Sequence, residues 1–304
     1  MASYSVVIAT CDREKSLHET LADWSGQTVK PEKVVVCETK AKESSVTGVD
    51  CGIWAKERKG PVPLEHLTSD VASAAKQRNL GAERVSSEWI VFSDDDVRFG
   101  PKLAEEVVTF LDAHPEAVAV FPRMLGSGHL KPGRFLRSYY QMQAGWKDEH
   151  YGARLFGPGI STYPCWEVQK GPVEANWLPS TLLWIKAELF RRHRFPDFEG
   201  YSYGEDAHLT HRVWREVRPE GKMYFLAEPE FKHKSVMSGV KTRRFHLARM
   251  AIRNQRKIAR EAMGMGVVLF FVRSIVHRIF LTFATLKARR SGWLSETAGT
   301  WTAF

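Results

Sequence analysis

Glu88-Trp-Ile-Val-Phe-Ser-Asp-Asp-Asp96 sets a short apolar run against three consecutive carboxylates. Trp89 to Phe92 is too short for a helix, and its aromatic and β-branched content suits a strand buried on both faces. Asp94, Asp95 and Asp96 would then project from the carboxyl end of that strand, where open α/β sheets bind ligands. Three adjacent carboxylates repel one another and resist burial without a counter-charge. A divalent cation, Mn2+ or Mg2+, is the simplest counter-charge, and Mg2+ is usually held by one or two carboxylates plus substrate phosphates. A solvated acidic turn is the plainer alternative.

Strands and helices alternate outward from this run. Ser5 to Ala9 reads as a buried first strand, Lys15 to Gln27 as a helix carrying Leu17, Leu21 and Trp24, and Lys33 to Glu38 as a second strand. That is the spacing of a βαβ unit. Residues 39–61 are polar and predict a loop, and Val62-Pro-Leu64 predicts a short strand. Val71 to Arg84 is Ala-rich and helical, and it feeds the strand ending at Asp94. Pro101 opens a helix that runs to about His114, and Ala117 to Phe121 reads as another strand. The alternation over residues 1–124 predicts an α/β fold with a mostly parallel central sheet flanked by helices. Residues 125–175, aromatic and rich in Gly and Pro, predict an irregular excursion that lines an acceptor cleft. Trp177 to Ile185 is strand-like, Lys186 to His193 and His208 to Val217 are helical, and Met223 to Ala227 is a further strand followed by Phe231-Lys-His233.

Of the 304 residues, 43% are hydrophobic and 26% are charged, an ordinary globular balance. The net charge of +9 is unevenly spread: residues 241–304 hold 13 Lys/Arg against 2 Glu, and the rest is near neutral. A basic tail implies an anionic surface, either nucleic acid or phospholipid. Lys241 to Arg260 predicts a basic helix, and Met263 to Val272 is an uncharged run of ten residues. Spanning a bilayer needs about 20 apolar residues. On a helical wheel Arg273, Ser274, His277 and Arg278 fall within an arc of about 140°, leaving a broad apolar face. Such a helix suits the interface of an anionic membrane; packing on the domain and an oligomer contact are the alternatives. Cys11, Cys37, Cys51 and Cys165 show no paired CxxC spacing and suit a reducing compartment. Met1-Ala2-Ser3 leads straight into the first strand, so no signal peptide is expected. The expected location is cytoplasmic, peripheral on the inner face of the cell membrane.

Five segments also follow a familiar order: Ser5-Val-Val-Ile-Ala-Thr-Cys-Asp-Arg13, Gln77-Arg-Asn-Leu-Gly81, Phe92-Ser-Asp-Asp-Asp96, Gly204-Glu-Asp206 and Lys232-His233. With these the chain resembles the family 2 glycosyltransferases of the GT-A fold over roughly residues 4–235, and Arg253-Asn254 adds to the likeness. Each motif alone is weak; five in order form a strong signal. Two segments depart from the pattern. The family often carries an Asp pair after the second strand, where this chain has Glu38-Thr39, and Pro-Thr-Tyr/Phe-Asn-Arg becomes Ala9-Thr-Cys-Asp-Arg13. Both lie where the nucleotide base would sit.

The resemblance implies an inverting, metal-dependent transfer of a sugar from a nucleotide-diphosphate sugar (UDP, dTDP or GDP) to a hydroxyl. It divides residues 1–240 into a nucleotide-binding half to about 124 and an acceptor-binding half after it, with 241–304 as a basic, amphipathic helical tail. Departure of the diphosphate builds negative charge, which a divalent cation offsets. By resemblance Asp94 and Asp96, in an Asp-X-Asp pattern, are the metal-side and ribose-side carboxylates, with Asp95 between them, and His233 reaches the metal or the diphosphate. Ala9, Thr10, Asp12, Arg13 and Glu38 would face the nucleotide. So would Arg78, whose rigid fork suits phosphate or base-edge carbonyls. Trp177 to Thr181 would touch the donor sugar or acceptor. An acceptor hydroxyl has a very high pKa, so a positioned carboxylate must take its proton as the bond forms. Asp206 is that candidate, with Glu205 in support. The plainer alternatives are a solvated Arg78, a core Trp177, an uninvolved His233, and a Glu205-Asp206 pair that only favours a helix N-terminus.

The basic tail fits a lipid-linked glycan or polysaccharide acceptor in surface glycan synthesis, and a homo-oligomer stays open. A nucleic-acid-binding protein is the competing class, but no RRM, zinc-finger or helix-turn-helix signature supports it, so no nucleic-acid partner is expected. A sugar-1-phosphate nucleotidyltransferase generally shows a Gly-rich basic loop after the first strand, and Thr10-Cys-Asp-Arg13 has no glycine.

Overall fold

The computed structural model of the chain describes residues 1–11, 13–39, 62–128, 131, 133–144, 152–198, 204–234 and 244–288. Asp12 and residues 40–61 of the loop expected over 39–61 lie outside them, and Thr39 ends a strand. In chain order the strands are β1 (Tyr4–Thr10), β2 (Val34–Thr39), β3 (Leu64–Ser69), β4 (Trp89–Asp94), β5 (Val97–Phe99), β6 (Ala117–Met124), β7 (Leu155–Phe156), β8 (Ile160–Ser161), β9 (Val173–Ala175), β10 (Leu182–Lys186) and β11 (Lys222–His233). The helices are α1 (Glu14–Ser25), α2 (Ala74–Ala82), α3 (Leu103–Ala113), α4 (Arg134–Ala144), α5 (Ala187–His193), α6 (Glu205–Val217), α7 (Arg244–Lys257) and α8 (Val267–Ala288). A π-helical turn, Ile258–Ala262, extends α7.

One sheet of nine strands organises the chain, in the order β3-β2-β1-β4-β10-β6-β11-β5, with β9 also pairing with β11. β1, β2, β3, β4, β6 and β11 share one direction, and β5, β9 and β10 oppose it. The apolar runs of β1, β2 and β4 are buried almost throughout, as strands covered on both faces must be. α2 lies close on β1: a Cβ on Gly81 would stand 2.5 Å from Val7 Cγ1, so only glycine permits this approach. Below the sheet centre Tyr4, Trp24 and Trp184 pack together, with Tyr4 and Trp184 ring centroids 4.6 Å apart.

Four local expectations shift. The third strand is Leu64–Ser69 rather than residues 62–64. Its sequence is half polar because it is an edge strand paired only with β2. The third helix begins at Leu103, because the carbonyl of Pro101 is used by Thr28 N. The excursion over 125–175 contains α4, whose exposed Arg134, Arg137, Ser138 and Gln141 mask its period. The strand expected from Trp177 starts only at Leu182, because the backbone N–H and C=O of Leu178 are taken by the Thr210 hydroxyl at 2.9 and 3.2 Å rather than by a neighbouring strand.

Candidate active site

The parallel register of β1 and β4 sets Ala9 beside Asp94, so the carboxyl ends of both strands open at the same place. β10 enters there from the opposite direction, and Asp94 N donates to Thr181 O at 2.9 Å. Asp94 is half-buried, while Asp95 and Asp96 turn inward and are buried. Thr10 Oγ1 donates to Asp95 Oδ2 at 2.6 Å. Arg13 Nη1 donates to Asp95 Oδ1 at 2.8 Å and to Asp96 Oδ2 at 3.0 Å. Burial pushes the Asp95 carboxyl up to about 6, against the opposing pull of Thr10 and Arg13. Burial disfavours the Arg13 charge, but Asp95 and Asp96 outweigh it and hold the guanidinium above its usual value.

The pairing of β5 with β11 puts His233 opposite Val97, which brings its ring over the acidic turn. His233 Nε2 lies 2.9 Å from Asp96 Oδ1 and 3.9 Å from Asp94 Oδ2. The hydrogen bond to Asp96 raises the His233 pKa despite burial. One ligand atom each from Asp94, Asp96 and His233 lie within 4.8 Å of one another. Two carboxylate oxygens and one imidazole nitrogen at that spacing fit a single divalent cation. The counter-charge that the sequence assigned to a metal alone is here supplied by protein as well: Arg13, Arg78 and His233 all face the cluster.

The stretch Gln77 to Gly81 has a mechanical explanation. Gln77 Nε2 donates to Thr10 O at 2.8 Å and Cys37 O at 2.7 Å, pinning α2 across the ends of β1 and β2. Asn79 exchanges two hydrogen bonds with the backbone of Phe195. Between them Arg78 is buried, with Nη2 2.7 Å from Asp94 Oδ1 and Nη1 3.2 Å from Glu205 Oε1. Burial again works against the charge, and Asp94 and Glu205 overcome it.

Glu205 and Asp206 open α6 after Gly204, which sits at φ +88°. Glu205 is buried and tied to Arg78, whereas Asp206 is half-buried and accepts from Ala207 N at 2.7 Å. Burial raises both carboxyls, and the Asp206 charge raises Glu205 further.

A cleft of about 490 Å³ joins these groups. Of the expected residues, Ala9, Thr10, Arg13, Arg78, Asp94, Asp95, Trp177, Glu205 and Asp206 line it. Asp96 and His233 adjoin Asp94 but are not in the lining. Glu38 is also outside the lining, buried against His66 at 3.0 Å. Trp177 is both lining and core, packed edge-on against Tyr163 and Phe225. The sequence did not mark Ser161 and Tyr163, which reach the cleft from the aperiodic 125–175 segment. Ser180 and Thr181, at the mouth of β10, line it too, within the stretch Trp177 to Thr181 expected to touch the donor sugar or acceptor.

The mixed sheet and the carboxylate-lined cleft at its strand ends define a GT-A type glycosyltransferase. Residues 5–168 match Glycosyl transferase family 2, and the chain belongs to that family. Glu205, Asp206 and His233 lie beyond the matched stretch. An uncharacterized glycosyltransferase of Haemophilus influenzae is 24% identical over 112 residues, covering 36% of this chain and 35% of the relative. The match thus spans about a third of that curated relative's length. Among solved structures, Staphylococcus aureus TarS 1-349 in complex with UDP-GlcNAc aligns with a TM-score of 0.57 at 15% identity, over 99% of this chain and 79% of the other. A further structure of TarS 1-349 gives 0.57 at 16%, over 99% and 78%. GalNAc-T7 with UDP, GalNAc and Mn2+ gives 0.60 at 11%, over 85% and 48%. These likenesses show the fold.

Proposed function

We propose that this protein is an inverting, metal-dependent glycosyltransferase that moves a sugar from a nucleotide-diphosphate sugar to a hydroxyl of a glycan acceptor. The observation that carries it is the Arg78 bridge: one buried guanidinium ties Asp94, at the donor end, to Glu205 beside Asp206, in a single cleft. In this reading Asp94, Asp96 and His233 hold a divalent cation, which when bound offsets the charge that gathers on the departing diphosphate. Thr10 and Arg13 keep Asp95 and Asp96 in position. Asp206 takes the acceptor hydroxyl's proton while that oxygen bonds to the anomeric carbon and the bond to the diphosphate breaks on the opposite face. Arg78 restrains Glu205, so Asp206 is the less encumbered of the two, and burial raises its pKa above the usual carboxylate value, which strengthens it as a base.

Solved relatives of this fold carry UDP-GlcNAc or UDP with Mn2+, so UDP-sugars are the first donors to try. The basic tail supports a lipid-linked acceptor and action at the inner face of the cell membrane. Asp206→Asn should reduce transfer by about 100-fold or more, while thermal shifts by UDP-, dTDP- or GDP-sugars with Mn2+ persist. Unchanged turnover would remove Asp206 from the mechanism. Absence of any Mn2+-dependent shift would remove the cation.

A further inference from the structure

α8 reverses the polarity of a helix packed on a water-soluble domain. Its buried residues are Phe270, Ser274, His277 and Arg278, and every exposed residue described between Val267 and Phe283 is apolar. Val268, Val272, Ile275, Ile279 and Phe283 recur at intervals of three and four, so they form one outward stripe. The polar side is committed inward. Burial keeps His277 neutral, and the Tyr139 hydroxyl hydrogen-bonds its Nδ1 at 2.5 Å. Gln143 Nε2 donates to Arg273 O at 3.0 Å, and Tyr139 stacks on Phe280 at 3.9 Å. α4 extends the outward surface with Phe135, 71% exposed, and Met142, 61% exposed. Among the described residues nothing covers this two-helix face.

We propose that the α4–α8 face docks on an anionic lipid bilayer, with α8 lying in the headgroup region. Charge selects that occupant. Arg253, Arg256 and Arg260 are exposed on α7 and its π-helical turn, as are Arg134 and Arg137 on α4. Residues 241–304 carry 13 Lys/Arg against 2 Glu. A second copy seated on the same face would bring two such cation sets together, whereas acidic headgroups neutralise them. No described helix, α8 included, is long and apolar enough to cross a bilayer. The docked element is also mechanically linked to the cleft. The π-helical turn that precedes α8 packs on Gly204, whose added Cβ would stand 2.7 Å from Ile258 Cδ1, and Glu205 follows directly. The biological purpose rests on the lipid-linked acceptor proposed above. The binding test uses neither donor nor acceptor, so failure of docking and failure of transfer are told apart.

The full chain is sedimented with vesicles of phosphatidylcholine alone and of phosphatidylcholine with phosphatidylglycerol. Binding is expected to the mixed vesicles and to weaken with salt. Val272→Glu with Ile279→Glu should lower the partition coefficient roughly tenfold or more, and Phe135→Gln on the other helix should lower it separately. Circular dichroism melts check that each variant is folded. Three results overturn the proposal: no binding of the unaltered protein to anionic vesicles, equal binding by the folded variants, or a solution dimer that Ile279→Glu dissociates.

Discussion

Arg78 shows what a single side chain does here and why the sequence could describe it only in part. Its partners Asp94 and Glu205 stand 16 and 127 positions away, and no local pattern encodes the second contact. The sequence marked Arg78 as a ligand contact by resemblance, with a solvated helix arginine as the alternative. In the structure it is buried between two carboxylates. Arg78→Ala should therefore destabilise the protein by about 3 kcal/mol, the size of an orphaned buried partner. A solvated arginine would change stability by less than about 0.5 kcal/mol. The urea midpoint distinguishes the two. The acidic triplet was more legible, because an apolar strand that stops at Asp94 locates itself. What the triplet concealed was its division of labour: Asp94 and Asp95 line the cleft, while Arg13 holds Asp95 and Asp96.

At the scale of elements, legibility followed burial. β1, β2 and β4 lie in the sheet interior and read as unbroken apolar runs. β3 lies at the sheet edge, and α4 presents a polar, aromatic surface, so neither has a clean period. The sequence expectation for α8 is an amphipathic helix with a broad apolar face. Which side faced the protein was decided by Tyr139 and Gln143 on α4, more than a hundred positions earlier. That docking has a pH signature. Burial lowers His277 from 6.5 to about 4, so between those values the unfolded chain takes up a proton that the folded chain does not. Stability from this group is whole above 6.5 and declines as the pH falls toward 4. The advantage of the unaltered protein over His277→Gln should shrink by about 2 kcal/mol between pH 7.5 and pH 5. Taking the difference cancels groups that titrate in both proteins, Glu205 and Asp206 among them. Urea melts at the two pH values measure it, and a constant difference would show His277 to be accessible to protons.

At the scale of the whole molecule, the six co-directional strands bring β1 and β4 to a common end, antiparallel β10 and β5 set out from that end, and β11 finishes there at His233. Thr10, Asp94, Asp96, Thr181 and His233 are neighbours for that reason, although they are spread over most of the chain. The fold class and the order of the motifs were readable from sequence; the convergence of the later residues depended on strand order, which local periodicity does not state. Arg13, Arg78 and His233 already balance the acidic turn from within. The scaffold should accordingly be indifferent to chelators. Exhaustive EDTA treatment should move the thermal midpoint by less than about 2 °C, the response of a chain this size to a change under about 1 kcal/mol, and a large drop would show that an ion is structural. Preparations stripped of every ion would then remain correctly assembled in storage, ready to be reloaded with a chosen metal at the moment of assay.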